Sequence, residues 1–171
     1  MNILTTAFAA SLLALTSAGA SAADFPKSGT TKATGYMTQT TVDELDGWEA
    51  DWQPNLNMAM GIIRNETAGG PFDKSFLRCI GQDAMVAGKY VSNGTCTETD
   101  TAGDKIFITY GADAFTFIGG TGKYKGITGG GTSKSETIFQ GAKNWAGVVS
   151  FEKHWEIKLS RTPQALRACC I

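Results

Sequence analysis

Histidine is almost missing from this 171-residue chain, with His154 its single representative, and proline is held to 4 residues. One imidazole cannot build a multi-histidine metal centre, though it leaves room for one general acid or base. Cysteine is limited to 4 residues, none spaced Cys-x-x-Cys, so no zinc site is supported. Neither sign of charge is in excess: 15 Lys plus Arg stand against 16 Asp plus Glu, scattered along the chain. That excludes the basic stripe that nucleic acid needs, and a polyanion-binding surface with it. No segment past the N-terminal stretch sustains a helical period, and none is apolar over the roughly 20 residues that cross a bilayer. What is abundant is glycine, 21 residues, together with threonine, valine and aromatics. Short strands joined by glycine turns fit that composition, and the fold class expected is all-β.

The N-terminus reads as a cleaved export signal over residues 1–23. It carries no charged side chain, has an apolar centre from Phe8 to Leu15 and ends in Ala20-Ser21-Ala22, the small-x-small pattern of a signal peptidase site. It departs from the usual pattern only in lacking a basic residue near Met1. The apolar run is too short for an anchor. A soluble exported chain is therefore expected to begin near Ala23 or Asp24, secreted or periplasmic, with a single domain over 24–160 and a tail over 161–171. About 150 residues suffice for one domain with a sizeable core.

The stretch from Phe115 to Thr132 organises the rest. Phe115, Phe117 and Ile118 read as the end of a buried strand, and Gly119, Gly120 and Gly122 then bend the chain where a curved sheet turns. A phosphate loop is excluded twice over, since Tyr124 follows Gly122-Lys123 where Ser or Thr is needed and Phe117 occupies the first glycine position. A dinucleotide fingerprint fails too, because Gly126 comes one place late and no helical pattern follows Ile127. The acidic turn Asp100 to Asp104 lacks the alternating ligands and terminal Glu of a calcium loop.

Strands are expected over Gly35–Val42, Leu56–Ile63, Lys74–Ile80, Ala84–Val91, Lys105–Tyr110, Ser133–Phe139 and Val148–Leu159, with Asp24–Thr34 a loose leader. Leu56, Met58, Met60 and Ile62 fall on one wholly apolar face, adaptable enough for an irregular core or a greasy ligand. Trp48 and Trp52 flank Glu49 and Asp51; they either line a ligand mouth or plug the end of the core. In the last strand Val149, Phe151, Trp155, Ile157 and Leu159 share a face with Lys153, and Glu152, His154 and Glu156 share the other. That polar face is solvated, or, if it looks into a barrel, Glu152 and His154 become candidate catalytic groups. Cys79 and Cys96, set on neighbouring strands of an exported chain, are expected to form a disulfide, whereas adjacent Cys169 and Cys170 cannot bridge each other without strain. Asn65-Glu66-Thr67 and Asn93-Gly94-Thr95 match the glycosylation triplet.

The order Phe72, Cys79-x-Gly81, Gly94-x-Cys96, Gly103-Asp104-Lys105 and then Phe117-Ile118-Gly119-Gly120-Thr121-Gly122-Lys123-Tyr124-Lys125-Gly126-Ile127-Thr128-Gly129 resembles the allene oxide cyclase-like barrel group, which is related in shape to the plant dirigent proteins and the calycins. The likeness spans Phe72 to Leu159. It implies an eight-stranded antiparallel closed barrel around an apolar cavity, often in oligomers. Plant members cyclise an unstable fatty-acid epoxide or guide phenoxy-radical coupling by holding a reactive ligand in a shaped hollow. Their cavity residues do not map onto residues 35–63, so no role is carried over. Two functions follow as expectations: a non-catalytic exported barrel that binds a small apolar molecule or serves as an envelope module, or a cofactor-independent isomerase or cyclase using Glu152 or His154. The ligand-binding candidates are Trp48, Trp52, Met58, Met60, Tyr110, Phe117 and Trp155. No cofactor or metal is implied, and a homo-oligomer is compatible with the resemblance.

Overall fold

The computed structural model describes residues 25–44 and 54–158. The expected export signal, Trp48, Trp52 and the tail 161–171 with Cys169 and Cys170 lie outside the described residues. Eight strands follow in order: β1 Ser28–Glu44, β2 Asn55–Asn65, β3 Ser75–Val86, β4 Lys89–Thr99, β5 Lys105–Tyr110, β6 Ala114–Gly120, β7 Ile127–Gln140 and β8 Asn144–Ile157. Each pairs antiparallel with its chain neighbour, and β8 returns to β1 from Ser28↔Glu156 to Thr40↔Asn144, closing the barrel. Closure gives every strand a neighbour on both sides, although β6 and β7 meet over only three register pairs, from Ala114↔Thr132 to Thr116↔Gly130.

Several boundaries differ from the sequence expectation, among them β7, which starts at Ile127 and not at Ser133, and β8, which starts at Asn144 and not at Val148. β1 starts at Ser28 within the supposed leader, because residues 28–34 are the partners that the far half of β8 requires. Ala84–Val91 is no separate strand but the tip of one long β3–β4 hairpin, which turns at Ala87-Gly88 with φ of 48° and 72°. Two consecutive positive φ values make the tight turn whose twist matches paired strands.

Strand alternation sorts the side chains. In β8 Val149, Lys153 and Trp155 are buried, while Glu152, His154 and Glu156 are exposed. In β2 the apolar face expected to be internal is outside: Leu56, Met60 and Ile62 are exposed, and Asn57 and Ile63 are buried. The inward phase of β2 carries small residues beside a neighbour that fills the space, since a Cβ at Gly61 would collide with the Met37 side chain and the backbone of Tyr36 and Met37. A row of Leu, Met, Met and Ile could not occupy that wall.

Aromatic rings seal one end. Phe72 sits at the centre of this plug, with its ring centroid 5.0 Å from Trp155, 5.5 Å from Phe25, 5.9 Å from Tyr124 and 6.0 Å from Phe117. Phe25 stands edge-on to Tyr124 at 4.9 Å, and Trp155 Nε1 donates to the Pro26 carbonyl at 2.9 Å. Such edge and offset contacts add about 0.5–1.5 kcal/mol per pair beyond burial. The glycine-rich stretch after β6 forms the outer wall of this plug. It folds into a single 3₁₀ turn, Gly122–Tyr124, which buries Tyr124. Gly122 has φ of 52°, and a Cβ there would collide with the Asp104 carboxylate, which accepts the Lys123 N–H at 3.1 Å.

Phe72 enters the plug from the β2–β3 loop at φ of 64°, and Lys74 has φ of 58°. Left-handed backbone at bulky residues persists only where its surroundings fix it. Here the Asp73 carboxylate does so, accepting the Gly69 N–H at 2.9 Å, the Asn65 N–H at 3.1 Å and Arg64 Nε at 3.0 Å. The Gly69 hydrogen bond, followed by those from Arg64 and Asn65, outweighs partial burial and holds its pKa down at about 2.

On β3 and β4 Cys79 and Cys96 stand directly opposite one another and are bridged, with Cα atoms 4.0 Å apart. Replacing both by serine is expected to lower the unfolding free energy by roughly 3 kcal/mol, read from the denaturant midpoint; an unshifted midpoint would show the bridge to be dispensable. Asp73 predicts a pH effect of defined sign. Its folded pKa lies below the ordinary 3.8, so the unfolded chain binds the proton more tightly; the contribution is complete above that value and is lost as pH falls through about 2. Asp73→Asn should therefore flatten the acid limb of the Tm profile, and an identical limb in the variant would refute the assignment.

Candidate ligand cavity

Above the plug the barrel is hollow. A cavity of about 910 Å³ extends from Glu98, Lys153 and Phe151 to a mouth framed by the ends of β1, β5 and β7 and by the base of the β3–β4 hairpin. Eight-stranded barrels are wide enough to be filled by side chains or to hold one small ligand. Which of the two occurs depends on wall residues. Toward the plug the inward positions are Ile63, Leu77, Phe115 and Phe151; toward the mouth they shrink to Ala59, Ser133, Ser135 and Thr137. On β3 and β4 the facing pair Gly81 and Gly94 leaves a notch that takes the Tyr110 hydroxyl, and a Cβ at either glycine would collide with it.

The floor is an ion pair. Lys153 Nζ donates to Glu98 Oε2 at 2.7 Å and to Oε1 at 2.8 Å, with both side chains only 2% exposed. Ser75 Oγ donates to Glu98 Oε1 at 2.6 Å, and Lys153 Nζ lies 4.7 Å from the Phe72 ring centroid. Carboxylate, hydroxyl and aromatic face together replace the water that the ammonium gives up. The mouth is polar but uncrowded. Asp83, 5% exposed, accepts Gln39 Nε2 at 2.8 Å. Tyr90 and Tyr110 flank it. Burial, reinforced by the Asp83 charge, pushes the Tyr90 phenol up to about 12 and the Tyr110 phenol up as well, so both stay protonated donors.

Of the candidates read from sequence, Tyr110 lines the cavity. Phe117 and Trp155 are buried in the plug beneath it. Met58 and Met60 point outward with the displaced apolar face of β2, and Arg78 Nη2 lies 3.7 Å from Met58 Sδ on that outer surface. Glu152 and His154 are exposed on the outside of β8, where Glu152 pairs with Lys32 at 3.2 Å; neither reaches the interior. Trp48 and Trp52 fall outside the described residues. Sequence reasoning missed Asp83, Glu98 and Lys153 as cavity groups. The signal lay in phase: Lys153 shares its face with Val149 and Trp155, Glu98 with Cys96, and Asp83 with Cys79. Of the two glycosylation triplets, Asn65 is buried with Nδ2 donating to Thr31 Oγ1 at 2.7 Å and to the Pro71 carbonyl at 2.5 Å, whereas Asn93 is exposed.

Breaking the floor pair on one side leaves a buried charge without a partner. Glu98→Ala or Lys153→Ala is expected to cost about 3–5 kcal/mol, and the double replacement Glu98→Leu with Lys153→Met much less than the sum. Chemical denaturation of the three variants checks this; additive losses would show the pair to be uncoupled.

In structure the chain is similar to the pterocarpan synthase dirigent protein GePTS1, with a TM-score of 0.49 and 15% identity over 78% of this chain and 94% of that one. It is likewise similar to the pterocarpan synthase dirigent protein PsPTS1, with a TM-score of 0.48 and 13% identity over 79% of this chain and all of that one, 100%. No protein-family model matches the chain, and no curated protein matches it in sequence. Eight antiparallel strands joined in chain order and closed β8 on β1 are the closed eight-stranded barrel that the sequence resemblance implies.

Proposed function

We propose that this is an exported barrel that holds one small, largely apolar molecule without transforming it. The observation that carries the reading is the cavity of about 910 Å³, closed below by aromatic rings and open above. Its volume falls in the range of ligand pockets that bury most of a small molecule. The deeper walls supply apolar area, and the mouth supplies the few polar groups that orient a ligand. The disulfide, buried on the cavity wall, suits an oxidising compartment, as does the N-terminal segment read as a signal. The isomerase alternative loses its proposed proton carriers, since Glu152 and His154 face away from the hollow.

The reading extends to self-association. Val148, Tyr36, Ile62 and Phe76 stand in one register row across the outside of β8, β1, β2 and β3, with Tyr36, Ile62 and Phe76 exposed. Exposed apolar side chains occur on other strands too, Ile118 and Ile138 among them, but this row is continuous across neighbouring strands, and continuous apolar surface favours contact with a like surface.

Native mass spectrometry of protein purified from its own host tests both parts. One small organic molecule per barrel is expected, on a chain beginning near Ala23 or Asp24 and carrying the mass of an intact disulfide. Ser135→Trp, which fills the cavity from β7, should abolish that adduct. A barrel that is empty from its own host, or an adduct that survives Ser135→Trp, would overturn the binding reading, and a monomer at every concentration would overturn self-association.

A further inference from the structure

The charges that line the cavity do not balance. Three carboxylates reach it, from Glu44, Asp83 and Glu98, against two ammonium groups, from Lys143 and Lys153. Both ammonium groups are committed. Lys153 is bound to Glu98 at 2.7 Å, and Lys143 lies 3.6 Å from Glu44 at the rim. Among the described residues Asp83 has no cationic partner, although it is 5% exposed, and its donors, the Gln39 amide and the Tyr90 phenol, are both neutral. The missing charge is not encoded nearby: residues 45–53, which join the rim residues Glu44 and Pro54, contain Asp46, Glu49 and Asp51 and no lysine or arginine.

A second, independent shortage lies beside it. Asn55 is the register partner of Asp83 across β2 and β3, lines the cavity, and has a buried Oδ1 with no donor among the described residues. One inward step along β2, Asn57 is 1% exposed, and neither its Oδ1 nor its Nδ2 has a partner among the described residues. The Asp83 carboxylate and the Asn55 amide oxygen thus face one part of the wall with no positive charge between them. Leaving such groups unmatched in a buried wall is costly, and more so for the charge. The phenol rings of Tyr90 and Tyr110 border the same region and offer faces that attract a cation.

We propose that the cavity selects a small organic cation, with a protonated primary amine at Asp83 and Asn55 and an apolar ring-bearing body lying deeper, against Phe115 and Phe151. The ammonium supplies three donors and the one positive charge that the lining lacks. This rests on the reading that the barrel binds a small molecule, and names the ligand class for that site. A neutral alcohol of the same shape supplies one donor and no charge. A carboxylate would set a second anion beside Asp83.

Isothermal titration calorimetry with tryptamine, tryptophol and indoleacetate at neutral pH tests it, because the three share a ring system and differ at the head group. Tryptamine is expected to bind roughly ten- to hundredfold more tightly than tryptophol, with indoleacetate weakest. In Asp83→Asn the ratio of tryptamine to tryptophol affinity should fall to about one, and Asp83→Glu should keep a preference for the amine. Equal affinities in the wild type, or an amine preference that survives Asp83→Asn, overturns the proposal while leaving the cavity reading intact. Tryptamine binding that persists in Ser135→Trp places the amine outside the barrel and also overturns it. No binding of any probe to the wild type counts against both readings at once.

Discussion

Closure of β8 onto β1 is the constraint from which the rest of the molecule follows. Once thirteen consecutive register pairs, Ser28↔Glu156 to Thr40↔Asn144, join the first strand to the last, every residue of the ring is assigned to an inside or an outside. A slip of one residue at that seam would exchange Lys153, Phe151 and Val149 for Glu152, Ser150 and Val148. One charged and one polar group, Glu152 and Ser150, would then enter the interior, and the seam's own buried residues would be wetted. The seam is therefore fixed by burial on its inner face, while the register shifts lie in other pairings, at Thr41/Asp43 against β2, Phe107/Ile108 against β6 and Thr137/Phe139 against β8.

Within the closed ring, a barrel of this size must divide its interior between packing and space. Here the division runs along the axis. Five aromatic residues fill the lower end, and the Glu98–Lys153 pair lies directly above them, with the ammonium over the Phe72 ring. An ion pair is a poor source of net stability compared with a hydrophobic filling. What it contributes is a boundary: carboxylate and ammonium bind each other and Ser75, so the groups above them face a floor whose charges are already spent. Small residues on the upper walls then keep the hollow open at the expense of packing contacts, and the disulfide between β3 and β4 ties together two strands whose facing glycines have no inward side chains.

Much of this was legible in the sequence, and the part that was not has a common cause. Glycine abundance, strand-length apolar segments and the absence of helical period pointed to an all-β chain, and Lys105–Tyr110 was read to the residue. The Cys79–Cys96 bridge followed from its place on adjacent strands. The family-like run ending at Gly129 implied the closed barrel that the topology contains. Period-two alternation, however, names two faces without saying which is internal. In β8 the more apolar face is the inner one; in β2 it is the outer one, because the inner wall there must be small and the outer wall meets no other element of the barrel. Glu152 and His154 were judged by chemistry and displaced by phase. Asp83, Glu98 and Lys153 were overlooked because a charge in an apolar phase reads as an interruption until the partner that makes it tolerable, 55 residues away for Glu98 and Lys153, is known.

The two sectors of the outer surface carry a last piece of reasoning about what the chain was built to meet. Across β4, β5 and β6 one register row runs Thr95, Thr109 and Thr116; across β1, β2 and β3 a different row runs Tyr36, Ile62 and Phe76, and Phe76 continues into Thr99 and Lys105. Both residue sets suit a pleated surface, so strand propensity does not account for the difference. They differ in their cost in water. Nothing inside this barrel is gained by the apolar row, since the cavity, plug and seam are built from the opposite phase of the same strands. Apolar area at about 25 cal/mol per Å² stabilises only when something covers it. The ring that separates inside from outside thus leaves this outer row and the cavity independent of one another, each built from its own phase of the same strands.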